Sequence, residues 1–188
     1  MRPRASVLTI YALATWMTPG TFGCIPEGFA QGSRTPDYQA QAVYLYNLAK
    51  FIRWPEAQHD SVTVCVAGPE AYLNALKKVA LDEEDAEPFE VRGVERTEQI
   101  SGCDILLIEG KEHEDEWLAA CEGKPELTVS DLPDFLDRGG MIQLTPAQDR
   151  VRFAVDLRPV TNSGLSLSSE LLKVATTIRG ASGEEMTP

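Results

Sequence analysis

Cysteine and histidine are the residue types in this chain best suited to covalent or metal chemistry, and both are scarce. The cysteines are Cys24, Cys65, Cys103 and Cys121, and no two of them form a Cys-x-x-Cys pair. The histidines are His59 and His113, which lack the HExxH spacing of a zinc protease. His113 stands among carboxylates in "EGKEHEDE" (109–116). That stretch is typical of the charged, solvated start of a helix, an interpretation we favour over a metal site.

Other short motifs do not complete a catalytic or cofactor site. "GLSLSSELL" (164–172) lacks a Gly-x-Ser-x-Gly elbow, so Ser168 or Ser169 is interpreted as a helix cap. "EGKPE" (122–126) lacks the rest of a phosphate loop, and the acidic residues 82–87 lack the ligand spacing of an EF-hand. We interpret "DRGGMI" (137–142) as a turn before a strand. We therefore predict no catalytic residue, no cofactor and no metal.

Three continuous apolar runs predict buried strands that alternate with helices. The runs are "SVTVCVAG" (61–68), "CDILLIE" (103–109) and "ELTVSD" (126–131), and "FEVRGV" (89–94) alternates like a shorter strand. Helical patterns follow the first two runs, in "EAYLNALKKVA" (70–80) and around Trp117, Leu118 and Cys121, and a short helical segment, "LPDFLDRG" (132–139), is predicted after the third. This order predicts a mainly parallel sheet with helices on both faces.

The last third of the chain follows a different pattern. Residues 140–157, "GMIQLTPAQDRVRFAVDL", read as two alternating strands joined by the turn "PAQD", which predicts a β-hairpin. "LSLSSELLKVATTI" (165–178) then predicts a brief strand and a closing amphipathic helix. The inward residues of that helix are Leu171, Leu172, Ala175 and Ile178. The whole pattern predicts a single three-layer α/β domain with a C-terminal β-hairpin.

The first helix of the domain is predicted from Asp37 to Arg53. Its apolar stripe consists of Ala42, Leu45, Tyr46, Ala49 and Ile52, and we expect it to cover one face of the sheet. Asp37 is the expected N-cap, and Pro55 is expected to stop the helix. For Trp54, core packing is the favoured interpretation. The alternative is that Arg53 and Trp54 form a contact with a partner protein, because both residue types are common at binding hot spots.

The first thirty residues resemble a secretion signal. Arg2 and Arg4 precede an apolar run of 11 residues, Val7–Met17, which is too short to span a bilayer. The favoured cleavage point follows Ala30; the alternative is a lipoprotein anchor at Cys24, after the weak motif "TFGC". We predict a signal peptide at 1–30, a short segment at 31–37, the domain at 38–180 and a flexible tail at 181–188.

The charge of the chain excludes some classes of partner. The formal net charge is −12, and loss of residues 1–30, which carry +1, makes it −13. Phosphate backbones and anionic lipid headgroups repel a domain this acidic. We therefore predict that the protein does not bind nucleic acid.

Seven motifs in this order resemble the YfiR family, also designated DUF4154. They are "AVYLYNLAKFIRWP", "VTVCVAGPE", "CDILLIE", "LTVSD", "GGMIQL", "RVRFAVDL" and "GLSLSSELLKVA", and they span about residues 38–178. The resemblance implies an exported α/β protein that represses a membrane-anchored diguanylate cyclase by binding the cyclase's periplasmic domain. It also implies a second partner, an outer-membrane lipoprotein that sequesters the repressor.

The cysteines admit two interpretations, and the resemblance favours one. Cys65 and Cys103 each lie in a predicted strand, so they can be bridged across adjacent strands or remain free, buried thiols. They occupy the positions of one family disulfide, which favours the bridge in an oxidising compartment. A second family disulfide has no counterpart, since no cysteine follows Cys121. Cys121 is left as a buried thiol or an intermolecular link.

The expected function is that of a non-enzymatic periplasmic regulator that limits cyclic-di-GMP synthesis and biofilm formation. Its expected partner is the periplasmic domain of a membrane-anchored diguanylate cyclase or of a sensor kinase, and a homodimer is left open. The alternative, from a different class, is a periplasmic sensor module that binds a small molecule.

Overall fold

The computed structural model describes residues 37–55, 61–82, 89–147, 150–180 and 185–186, all within one compact unit that spans 35–188. The helices are α1 (Tyr38–Ala49), α2 (Glu70–Asp82), α3 (Glu114–Cys121), α4 (Leu157–Asn162) and α5 (Ser169–Val174), with a 3₁₀ helix at Thr97–Ile100. The strands are β1 (Ile52–Arg53), β2 (Val62–Ala67), β3 (Phe89–Gly93), β4 (Ile105–Ile108), β5 (Leu127–Ser130), β6 (Ile142–Ala147), β7 (Arg150–Asp156), β8 (Ser166–Leu167), β9 (Thr177–Arg179) and β10 (Glu185–Met186). None of the helices in these ranges has the length and apolarity needed to cross a lipid bilayer.

The main sheet confirms the predicted α/β fold. Its eight described strands lie in the order β10-β9-β7-β6-β5-β4-β2-β3. Neighbours run parallel except for β9–β10 and the predicted hairpin β6–β7, in which Ile142 pairs with Val155. The chain adds β3 on one side of β2 and then β4 on the other. The direction of strand addition therefore reverses between β2 and β4, a topological switch point.

Side chains on the two faces of this sheet belong to two separate hydrophobic clusters. In β2, Val64 and Val66 belong to the larger cluster, which also contains the buried residues of α1 and α2. Cys65 and Ala67 belong to the smaller cluster, which contains Trp117 of α3. This alternation is the period of a strand buried on both faces, and it produces the predicted three layers.

Helix α1 begins as predicted and ends earlier than predicted. Asp37 caps it, accepting a hydrogen bond from the backbone N–H of Ala40 at 3.1 Å. The helix ends at Ala49, because Ile52 and Arg53 pair with β8 in a separate two-stranded sheet. Ile52 is still buried, so the predicted apolar stripe is correct although the helix boundary is wrong. Hydrogen bonds to a distant strand outweigh the local helical pattern there.

The closing helix is also shorter than predicted. The hydroxyl of Ser168 caps α5, accepting from the N–H of Leu171 at 3.2 Å, but the helix ends at Val174. Ile178 belongs to β9 and pairs with Val155 of β7. The stretch Thr176–Ile178 is β-branched, and β7 offers it unpaired backbone groups, so it forms a strand where the pattern predicted a helix.

Helix α4 was not predicted. Its N-cap is Asp156, the last residue of β7, whose side chain accepts from the N–H of Arg158 at 2.9 Å. Pro159 lies in the first turn, where proline is compatible with a helix. An N-cap residue three positions before a proline was a readable signal of this helix. Conversely, the segment 132–139 was predicted to be briefly helical, but its residues 133–139 form turns.

Candidate functional site

Residues 51–55, which we term the 51–55 surface, form an exposed corner after α1. Phe51 is 40% exposed, and Arg53 and Pro55 are also exposed. The backbone of this corner is held at fixed positions, because Arg53 pairs with Ser166 of β8 and the carbonyl of Phe51 accepts from the N–H of Ser168 at 2.9 Å. An aromatic ring and a guanidinium are thus presented on an ordered backbone.

Trp54 fixes this surface to the domain. Its ring is partly buried against the larger hydrophobic cluster, and Nε1 donates a hydrogen bond to the backbone carbonyl of Asp104 at 3.3 Å. The core-packing interpretation therefore accounts for the partly buried portion of the Trp54 side chain. Arg53, the other residue predicted to contact a partner, points away from the core.

A small pocket joins Trp54 to the disulfide region. It measures about 190 Å³ and lies where β2, β4 and β5 begin. Trp54 and Pro55 form one wall, and Cys103 and Asp104 form another. The sequence analysis considered Trp54 and Cys103 separately. The fold brings both residues to the end of the sheet where β2, β4 and β5 begin.

Cys65 and Cys103 are joined by a disulfide in the structure. Cys65 lies in β2 and Cys103 lies two residues before β4, and the Cα atoms are 5.8 Å apart. The bridge is positioned by the parallel pairing of β2 with β4, in which Val64 lies opposite Ile105. The cysteine side chains are almost fully buried in the smaller hydrophobic cluster.

Arg92, on the neighbouring strand β3, covers the disulfide with its guanidinium. Nε lies 3.1 Å from the sulfur of Cys65, and Nη2 lies 3.3 Å from that of Cys103. Nη2 also donates to the carbonyl of Ser101 at 2.6 Å. Sequence reasoning missed this residue. Arg92 lies beside the disulfide because it pairs with Cys65 between β3 and β2. The residue pattern of neither strand alone predicts this pairing.

Cys121 is a free thiol at the end of α3 and is 2% exposed. Burial raises the pKa of this thiol to about 12, and the nearby charge of Glu126 adds to the shift. The structure therefore matches the buried-thiol interpretation of Cys121. Cys24 lies outside the described residues.

The histidines show no metal geometry within the described residues. His113 precedes α3 in a left-handed conformation, and its Nδ1 lies 3.2 Å from Oε2 of Glu116, with both side chains mostly exposed. No group of three or more His, Cys, Asp or Glu in the described ranges is arranged to hold a metal. His59 and the acidic residues 83–88 lie outside those ranges.

A cleft of about 670 Å³ lies between α3, the segment 136–141 and α4. Ion pairs border it: Arg138 contacts Asp115 and lies 3.3 Å from Glu114, and Arg158 Nε donates to Asp156 at 3.0 Å. Its volume is typical of small-molecule sites, and its lining contains no histidine. The cleft is suited to binding a small polar molecule.

Comparison with known proteins identifies a family and several distant structural neighbours. The family model DUF4154, described as YfiR/HmsC-like, matches residues 38–176. A conserved domain protein from Vibrio cholerae O1 biovar El Tor N16961 is 9% identical, with a TM-score of 0.55, over 74% of this chain and 60% of that one. An ABC domain in complex with L-Trp from Streptococcus pneumonia is 10% identical, with a TM-score of 0.48, over 74% and 61%.

The likeness to the Vibrio cholerae structure shows the fold alone. The chain spans about 60% of the length of the two solved structures. The comparison with curated protein sequences gives no significant match.

Proposed function

Because the chain belongs to the family of YfiR/HmsC-like proteins, we propose that it is a non-enzymatic periplasmic regulator. It binds the periplasmic domain of a membrane-anchored diguanylate cyclase and limits the synthesis of cyclic-di-GMP. The observation that carries this proposal is the family match, which covers residues 38–176 and so includes nearly all of the described domain. The signal-like residues 1–30 and the Cys65–Cys103 disulfide support an oxidising, extracytoplasmic location.

The 51–55 surface is the proposed contact with the cyclase or with the periplasmic domain of a sensor kinase. Arg53 is exposed and Phe51 is 40% exposed, so both side chains are accessible to a partner. Pairing with β8 and the Trp54–Asp104 hydrogen bond order the backbone before binding. A preordered surface loses less conformational entropy on association, which favours affinity. An outer-membrane lipoprotein is the proposed second partner.

Deletion of the gene tests this proposal directly. Loss of a repressor should raise cellular cyclic-di-GMP and biofilm and reduce motility, and the wild-type gene should restore all three. His113→Ala should also restore them, because no chemistry is assigned to that imidazole. Cyclic-di-GMP levels that stay unchanged after deletion, across several growth conditions, would reject the repressor function.

Charge reversal at Arg53 tests the contact itself. Arg53→Glu should be exported and folded, with an unfolding midpoint near that of the wild type, because an exposed substitution costs within about 0.5 kcal/mol. It should fail to complement the deletion and fail to retain the cyclase in a membrane pull-down. Arg152→Glu, which changes another exposed arginine on β7, is the matched control and should complement. Equal complementation by both variants would remove the 51–55 surface from the proposal.

The cleft between α3 and α4 favours a second candidate function, a small-molecule sensor. Thermal-shift measurements on the purified mature protein with a panel of small charged metabolites separate the two functions. A ligand whose stabilising effect is lost in Arg158→Gln would support the sensor function.

A further inference from the structure

The carboxyl ends of β2, β4 and β5 bring together residues that the proposed regulatory surface does not use. Gly68 follows β2, Glu109 follows β4 and Asp131 follows β5, so the three meet beside the topological switch point. A Cβ built on Gly68 would lie 2.5 Å from the Cβ of Glu109, so the glutamate packs directly against the glycine backbone. Crevices at this position are where open α/β sheets bind ligands.

Glu109 and Asp131 follow neighbouring strands, and the negative charge of Asp131 acts on the carboxyl group of Glu109. The charges of Glu109 and Asp131 also act on the neighbouring Tyr38 and Tyr72. Every group that acts electrostatically on Glu109, Tyr38 or Tyr72 is acidic. The pair therefore carries negative charge without a compensating basic side chain among these interactions.

Three buried oxygen atoms, one each on Gln41, Tyr72 and Glu109, lack a hydrogen-bond partner within the described residues. We term these three residues and Asp131 the cluster. Gln41 of α1 is 1% exposed, and its Nε2 donates to Oδ2 of Asp131 at 3.2 Å, which leaves Oε1 unsatisfied. Tyr72 of α2 is fully buried, stacks on Tyr38 with ring centroids 4.9 Å apart, and has an unsatisfied hydroxyl. Oε1 of Glu109 is the third. Unsatisfied buried polar atoms are rare, and each of them calls for an explanation such as a bound ion or water.

The chemistry of the cluster identifies the species. Of the three unpartnered atoms, the amide oxygen can only accept a hydrogen bond, and the carboxyl oxygen accepts when Glu109 is ionised, so positive charge or hydrogen-bond donors would satisfy both. A single proton shared by the carboxyl groups satisfies one oxygen, whereas a cation attracts all of them. Carboxylate and amide oxygens are ligands of Mg²⁺ and Ca²⁺.

We propose that Glu109, Asp131 and the amide oxygen of Gln41 bind a divalent cation of the Mg²⁺ or Ca²⁺ class. Glu109 and Asp131 are partly exposed and admit the ion from solvent, while Gln41 contacts it from the buried side. In this proposal the Tyr72 hydroxyl forms a hydrogen bond with a water molecule that is coordinated to the ion. Because Gln41 belongs to α1, the ion connects this helix to the ends of β4 and β5.

The test is the unfolding midpoint of the mature protein after dialysis against EDTA. Adding 10 mM CaCl₂ or MgCl₂ should raise the midpoint by roughly 3–10 °C relative to NaCl of equal ionic strength, with saturation. Titration calorimetry with CaCl₂ or MgCl₂ should give one site per chain. Equal midpoints in all three salts, together with no calorimetric binding, would overturn the proposal.

Charge-neutralising variants locate the site. Glu109→Gln keeps the shape of the side chain and should abolish the response to either cation. Glu126→Gln is the matched control, because Glu126 is also buried with an unsatisfied oxygen but precedes β5 at the opposite edge of the sheet. It should retain the full response. A response that persists in Glu109→Gln would overturn the proposal; should that variant not fold, Asp131→Asn carries the same expectation and the same test.

Discussion

Arg92 gives the Cys65–Cys103 disulfide an unusual environment, because a guanidinium contacts both sulfurs. Reduction of the disulfide would leave both sulfurs beside this permanent positive charge. The other cysteine of the domain is in the opposite situation. Cys121 is buried, and the pKa-lowering effect of Lys124 is smaller than the pKa-raising effect of burial. Its thiol therefore stays protonated and unreactive. Three cysteines of one domain thus differ in chemistry because of their neighbours.

These environments predict a specific pattern of reactivity. Non-reducing peptide mapping of the exported protein should recover Cys65 linked to Cys103. With a pKa of about 12, Cys121 should remain unalkylated at pH 8 in the native state, where only about one thiol in ten thousand is ionised. It should react once the chain is unfolded. Native alkylation of Cys65 and Cys103 would show that the exported protein lacks the bridge.

Cys65→Ser should lower stability through the unfolded state. The bridged residues are 38 positions apart, so loss of the bridge should cost about 4 kcal/mol by the chain-entropy model. Denaturant unfolding measures this cost, and wild-type protein in reductant is the control.

At the scale of elements, pairing between distant segments decides where helices end. The patterns at 37–53 and 165–178 are helical at first, yet both change to strand where a partner strand is within reach. The start of the hairpin β6–β7 is set by the turn that precedes β6. Gly140 donates its N–H to the carbonyl of Phe135 at 3.0 Å, directly ahead of β6.

Gly140→Ala tests how tightly that turn is packed. An added Cβ would lie 2.2 Å from Cε1 of Phe135, a ring that is fully buried. Relief of the clash requires backbone movement, so we expect a loss of about 1–3 kcal/mol in the free energy of unfolding, measured with denaturant. Gly180→Ala is the control, because nothing lies within 4 Å of its added Cβ. Equal stability of the two variants would show that the ring moves freely.

At the scale of the whole molecule, the parallel strands separate two regions. The 51–55 surface and the disulfide lie where the strands begin, and Glu109 and Asp131 lie where the strands end. The formal net charge of −12 predicts weak binding to nucleic acid and to anionic lipid. The same charge attracts divalent cations to the surface.

Export can be tested with the whole N-terminal segment. Residues 1–36 fused to a reporter that is active only outside the cytoplasm should give activity, because a charged start and an apolar run of 11 residues form a secretion signal. Cys24→Ala should not change the location if cleavage follows Ala30, and should release the fusion from membranes if Cys24 carries lipid. An expressed, unprocessed and inactive fusion would contradict periplasmic location.

The sequence by itself determined the main strands of the sheet, their buried character and where two of the helices begin. The runs that became β2, β4 and β5, the hairpin and the Asp37 and Ser168 caps depend on neighbours within a few residues, so local pattern was sufficient. Only the tertiary structure decided that α1 ends at Ala49, that Arg92 covers a disulfide and that Asp131 meets Gln41. Each of these depends on strand order and register, and residues far apart in the chain set both. Glu109 and Asp131 were visible as the acidic ends of two predicted strands, but their proximity required knowing that those strands are neighbours.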